Sequence, residues 1–280
     1  MNRTEILKGL LDSENENNGI DILDLGPVEN FEEIKKEVNH IIETKPASYI
    51  LENSSYLPYI KPYDVDLKAQ IIEMSRKIGK ENYTYEQIKG ANRIFKLFRE
   101  QPGWVEDCKD YVKYGNNSTE WKFHFSEEYP YVSNFINSLP NLVRFWINGL
   151  LPNSRFQPHY EILTWKWNDS PVMVPRLHLP FMDEPDSVFN LNGKNYHLKE
   201  GNLYFVNIAA YHYAANNSTK PRFHFLIDCI MSEQLIKLFE KGVIPMPISE
   251  EPIQQVDPKF NKRSEYPVEM RRIENIRILP

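Results

Sequence analysis

His159-Tyr-Glu161, with His212 and Arg222 downstream, assembles the side chains in this chain best suited to chemistry. Two imidazoles and one carboxylate suit a mononuclear ferrous site, because both donor types ligate Fe(II) and three ligands leave three positions open. Zinc is the competing occupant, since two His and a Glu also serve zinc hydrolases. Those enzymes usually carry a helical His-Glu-x-x-His, which this sequence lacks. Arg222, ten residues past His212, has the charge and planar fork to hold the far carboxylate of an acidic co-substrate. Five of the seven histidines fall between residues 159 and 224, so the chemistry is concentrated there.

These residues need a β scaffold. In a strand, positions i and i+2 share a face, so His159 and Glu161 are expected to project together with Tyr160 turned away. From about residue 140 the pattern is strand-like. Leu142–Ile147 is β-rich, and the Leu151-Pro-Asn-Ser154 turn follows shortly after it. Pro175-Arg-Leu-His-Leu-Pro180 alternates, Glu200-Gly201 turns the chain into Leu203-Tyr-Phe-Val206, and Arg222–Met231 is strongly β-prone. Asn192-Gly193 between Val188–Leu191 and Lys194–Leu198 predicts a tight hairpin, because both residues tolerate positive φ. Short strands at this spacing predict a sandwich or small barrel.

The first 130 residues read as mostly helical. Glu5–Leu11, Phe31–Ile42, Val65–Ile78 and Tyr85–Phe98 place apolar residues at helical intervals among charges. Ile20–Leu25 reads as a strand, and Leu57–Tyr63 as a proline-punctuated loop. Near the other end, Ser232–Gly242 reads as a helix with a serine cap and a glycine stop. A Pro- and charge-rich tail from Ile244 is expected to wrap the surface.

At 280 residues the chain can bury a substantial core. Its net charge of −6 argues against non-specific nucleic-acid binding. Cys108 and Cys229 are too few for a disulfide framework or a Cys-type zinc site, and Cys229 lies in an apolar run typical of a core. Met1–Ile6 has no signal-like apolar stretch, and no run of about 18 apolar residues could span a bilayer. The expectation is a cytoplasmic protein with neither nucleic-acid nor membrane partner.

The segment from Leu139 to Leu235 resembles the aspartyl/asparaginyl β-hydroxylase family of 2-oxoglutarate oxygenases, with bacterial free-proline hydroxylases the nearest in pattern. The likeness rests on Leu151-Pro-Asn-Ser-Arg-Phe-Gln-Pro-His159-Tyr-Glu161, Arg176-Leu-His178-Leu-Pro180 and Gly193. It continues through Glu200–Val206, His212, Asn216–Ser218 and Arg222-Phe-His-Phe-Leu-Ile-Asp228. It implies an α+β fold: a double-stranded β-helix core (jelly-roll, cupin-like) over 139–235, a helical N-terminal region over 1–138, and a helix end and tail over 236–280. It implies His159, Glu161 and His212 as Fe(II) ligands, Arg222 on the C5 carboxylate of 2-oxoglutarate, and His178 near that co-substrate. Arg176 matches a position that meets a substrate carboxylate. Trp165 and Trp167 lie in a stretch longer than in the relatives, expected to form a lip over the substrate, and Asn148 and Arg155 are expected near the pocket mouth.

The implied reaction consumes O2 and 2-oxoglutarate, releases succinate and CO2, and hydroxylates an unactivated C–H bond. The expected substrate is a small molecule, amino-acid-like, and the chain is a candidate homodimer. Relatives carry Asp, or no carboxylate, where this chain has Glu161. A carboxylate there favours hydroxylation over halogenation, because a halide would need the vacant ligand position. Competing readings are hydroxylation of a residue in a peptide or carrier-bound substrate, and a ligand-binding barrel without chemistry.

Overall fold

Arg222–Cys229 alternates polar and apolar side chains along one strand, Leu226 excepted, and that alternation separates the two interiors of the molecule. Phe223, Phe225, Ile227 and Cys229 join the larger hydrophobic core, whereas Arg222, His224 and Asp228 lie on the opposite face. All eight residues are buried, as expected of a strand covered on both sides. The structure, a computed structural model, describes residues 1–16, 19–44, 48–50, 56–57, 92–96, 128–150, 154–155, 158–167, 170–182, 185–256, 258, 261 and 272–280.

In chain order the strands described are β1 (Ile22–Pro27), β2 (Ser48–Ile50), β3 (Tyr56–Leu57), β4 (Asn92–Lys96), β5 (Leu142–Leu150) and β6 (Ser154–Arg155). There follow β7 (Thr164–Trp167), β8 (Ser170–Met173), β9 (Arg176–Met182), β10 (Ser187–Leu191) and β11 (Lys194–Tyr196). The last are β12 (Asn202–Val206), β13 (His212–Asn216), β14 (Arg222–Cys229) and β15 (Ser249–Glu250). Helices α1 (Arg3–Glu16), α2 (Phe31–Thr44), α3 (Pro130–Ser138) and α4 (Glu233–Glu240) complete the regular elements used below.

One antiparallel sheet runs β1-β12-β9-β14-β5-β4-β2-β3, and a second runs β15-β11-β10-β13-β6. The apolar faces of α1, α2, α3 and α4 bury Leu10, Ile41, Phe135 and Phe239 against the outer face of the large sheet, together with Leu177, Leu179 and Phe205. Its inner face meets the small sheet in a second cluster containing Ile22, Leu150, Tyr204 and Val206 from one side and Phe189, Leu191 and Ala214 from the other. The result is a two-sheet sandwich with helices on one outer face.

Local chemistry explains the ends of these elements. Pro130 opens α3, where its missing N–H is not needed. Ser232 caps α4 by accepting from the Leu235 N–H at 3.2 Å. Gly242 stops that helix through close approach rather than through a left-handed backbone, since a Cβ there would sit 3.1 Å from the Leu23 Cβ. Asn192 and Gly193 have φ of 49° and 78°, which gives the β10–β11 hairpin its expected tight turn.

Two expectations change. Asn92–Lys96, inside the stretch read as helical, forms β4 on β5, where pairing along an open sheet edge outweighs a weak local periodicity. His159 and Tyr160 make isolated bridges rather than a regular strand. The stretch holding Trp165 and Trp167 is the β7–β8 hairpin, Trp165 opposite Val172 and Trp167 opposite Ser170. The tail from Ile244 adds β15 to β11, and bridges pair Asn261 with Tyr160, Arg277 with Val172 and Leu279 with Ser232. Val65–Ile78, His124, Cys108 and most of Leu57–Tyr63 lie outside the described residues.

Candidate active site

His159 and His212 are joined through their backbones. Each donates its N–H to the other's carbonyl at 3.0 Å, the close pairing of an antiparallel ladder, and their rings stand 4.0 Å apart between centroids. Glu161 is held by its own N–H, which donates to the Ile208 carbonyl at 2.8 Å. The His159 Nε2 to Glu161 Oε1 distance is 3.6 Å, and one donor atom from each of His159, Glu161 and His212 lies within 4.8 Å of the others.

The protonation of His212 follows from its partner. A carbonyl can only accept, so Nδ1 donates to the Ala210 carbonyl at 2.9 Å and leaves the Nε2 lone pair for a metal. Burial, and then the neighbouring His159, hold its pKa well below the usual imidazole range. Two imidazoles and one carboxylate form a donor set that fits Fe(II).

Phe189, on β10, links this triad to the expected co-substrate residues. Its ring lies parallel to that of His212 at 6.2 Å, meets the edge of His178 at 5.2 Å, and sits 5.7 Å beneath the Arg222 guanidinium. Arg222 is 5% exposed and donates to His224 Nδ1 at 3.2 Å, because a guanidinium has no acceptor. His224 therefore carries its proton on Nε2. His178 is buried, and neither of its ring nitrogens has a hydrogen-bond partner among the described residues. Burial first, then His224, Arg176 and Arg222, push its pKa well down, so it is neutral. A buried imidazole left in this state fits a polar group arriving with a ligand, since an unsatisfied buried donor is costly. An acidic co-substrate beside Arg222 would supply one.

The remaining expected residues are distributed unevenly. Arg176, expected to meet a substrate carboxylate, donates to two carboxylates of the chain. Its Nε and Nη2 reach Asp228 at 2.8 and 3.3 Å, and Nη1 reaches Glu161 at 3.1 Å. Asn148 is half-buried on β5, opposite His224. Arg155 is exposed on β6, opposite Ala215. Trp165 and Trp167 fall in β7, and their side chains lie outside the described part of the structure. Sequence reasoning missed Phe189 and Asp228. Asp228 could have been found, because it shares strand parity with Arg222 and His224; Phe189 carries no signal that separates it from other core aromatics.

A sequence model described as aspartyl/asparaginyl β-hydroxylase matches residues 78–231, more than half of the chain and further upstream than the Leu139–Leu235 resemblance. No curated protein matches the sequence. Among solved structures, a Pseudomonas putida prolyl-4-hydroxylase is 11% identical, with 80% of this chain and 99% of that one covered at a TM-score of 0.33. A Burkholderia pseudomallei oxidoreductase of the 2OG-Fe(II) oxygenase family is 10% identical, covering 49% of this chain and 67% of that one at 0.33. A predicted oxalate decarboxylase from Thermotoga maritima is 13% identical, covering 51% and 83% at 0.28.

Proposed function

Because the chain belongs to the aspartyl/asparaginyl β-hydroxylase family, we propose that it hydroxylates an unactivated C–H bond of a small amino acid or amino-acid derivative. It is an oxygenase that works with Fe(II), 2-oxoglutarate and O2. In this reading the two-sheet sandwich is the family's double-stranded β-helix, with the 139–235 segment as its centre, flanked by the 1–138 and 236–280 regions. When bound, the ferrous ion and 2-oxoglutarate supply the oxidising power: with O2, the oxo acid is split to succinate and CO2 while one oxygen atom is inserted into the substrate.

The protein's part is placement. His159, Glu161 and His212 would hold the metal, leaving one positive charge on the Fe(II) centre, and with Arg222 this favours an anionic co-substrate. Arg222 would take the far carboxylate of 2-oxoglutarate through a two-pronged contact, and Phe189 beneath it fixes the height of the guanidinium. His178 would offer a ring nitrogen to the same molecule. Leu191, Tyr204 and Val206 are buried in the inner cluster and make that interior apolar. Glu161 supports hydroxylation over halogenation.

Substrate contacts are proposed for Asn148, Arg155, Trp165 and Trp167, and the amino-acid-like class comes from the likeness to free-proline hydroxylases. The cytoplasmic placement and the homodimer belong to the same proposal. No described helix is long and apolar enough to cross a membrane. Light scattering of the purified chain measures the dimer.

The observation that carries the reading is the convergence of His159, Glu161 and His212, with buried Arg222 on the same Phe189 ring as His212. Succinate formation from 2-oxoglutarate with Fe(II) is expected of the wild type and should vanish in His159→Ala and in Arg222→Ala. Continued turnover in both variants overturns the proposal. An amino-acid and short-peptide screen for a mass gain of one oxygen then identifies the substrate.

A further inference from the structure

Arg176 and Asp228 stand directly opposite one another on β9 and β14, on the face of the large sheet that carries His178 and His224. Asp228 is 1% exposed and Arg176 is 5% exposed. The Nε–Nη2 edge of the guanidinium lies along the Asp228 carboxylate, and this fork fixes the plane of the group. With that edge fixed, Nη1 donates to Glu161 Oε1 at 3.1 Å. The same oxygen faces His159 Nε2.

Glu161 needs such a restraint. It lies outside any regular strand, its backbone is held through its N–H to Ile208, and its side chain has one more torsion than an aspartate. A second residue that fixes a ligating carboxylate is a recurring requirement of metal sites. We propose that Asp228 orients Arg176 and that Arg176 in turn holds the Glu161 carboxylate in its ligating position, so that the pair positions a metal ligand rather than binding substrate. This rests on the proposed ligand set of His159, Glu161 and His212. It also assigns a use to the longer carboxylate, whose Oε1 lies between the guanidinium and the His159 ring.

Anaerobic titration with Co(II), followed by its visible absorption, reads the site without turnover. Asp228→Asn is expected to weaken Co(II) binding about ten-fold or more, the usual range for loss of a residue supporting a metal ligand. Arg176→Met/Asp228→Leu removes both buried charges together, which protects folding, and is expected to show the same loss. In a Glu161→Ala background, Asp228→Asn should change Co(II) affinity no further, because the ligand it acts through is gone. Wild-type affinity in both Asp228→Asn and the double variant overturns the proposal. So does an equal loss with and without Glu161, which would mark a general distortion. His159→Ala separates the two levels: if it binds Co(II) as well as the wild type, the ligand set itself is wrong, and if it alone loses binding, only the positioning role fails.

Discussion

Arg222 and Phe189 show how much of the site depends on single contacts. The guanidinium lies over an aromatic face and donates to His224, so its orientation is set before any ligand arrives. Arg222→Lys keeps the charge but loses the planar fork. At about 1.5–3 kcal/mol for a charge-assisted hydrogen bond, the KM for 2-oxoglutarate should rise roughly 10- to 100-fold with kcat less affected. Steady-state succinate assays at varied 2-oxoglutarate check this. Phe189→Ala removes the ring shared by His212, His178 and Arg222, and should cost about 3–5 kcal/mol in urea unfolding as well as raising the same KM. A KM rise without loss of stability would mean that the ring acts on the ligand rather than on the packing.

Strand parity is the organising device among the elements. On β14 the odd-numbered residues face the helices and the even-numbered Arg222, His224 and Asp228 carry chemistry, while β13 turns His212, Ala214 and Asn216 away from Tyr211, Tyr213 and Ala215. The tail covers that second face: Tyr213 donates to Glu251, the Gln254 N–H donates to the Tyr211 hydroxyl at 3.2 Å, and the Glu251 N–H donates to the Gly193 carbonyl at 2.7 Å. Gly193→Ala would bring a Cβ to 2.5 Å from the Glu251 carbonyl at a φ of +78°. About 1–3 kcal/mol of destabilisation is expected for the backbone strain, read as a lowered urea midpoint. Protease cleavage within the tail should quicken in the same variant, because the clash falls between hairpin and tail.

Across the whole molecule, two buried neutral histidines make stability depend on pH. His178 and His212 both have pKa values held well below the ordinary 6.5, chiefly by burial. Below pH 6.5 the unfolded chain takes up protons that the folded chain refuses, so stability falls as pH drops through the unfolded value. Each such group adds a slope of about 1.4 kcal/mol per pH unit, so the pair should give roughly 2.7 in metal-free protein. Urea unfolding in chelator between pH 6.5 and 5 measures it, and His178→Phe should halve the slope. Cys229, fully buried with its thiol pKa pushed up, should resist alkylation until the fold opens, which peptide mapping after iodoacetamide treatment distinguishes from Cys108.

The sequence alone determined the residue types of the triad, the arginine that follows it, the Asn192-Gly193 turn and the serine-capped helix. These are local properties, set by donor chemistry and by backbone conformations that few residues adopt. Strand parity also places His224 and Asp228 on the face of Arg222. What only the tertiary structure decided is who meets whom. His159 and His212 lie 53 positions apart in sequence and are joined by a backbone bridge. Asn92–Lys96 became a strand because an edge of β5 was there to receive it. Arg176 reads in sequence as a free cation that could greet a substrate; in the fold it faces Asp228 across a strand pair and Glu161 beyond it. Buried charge is neutralised by the nearest opposite charge that backbone register brings within reach, and that register is a property of the packed sheet.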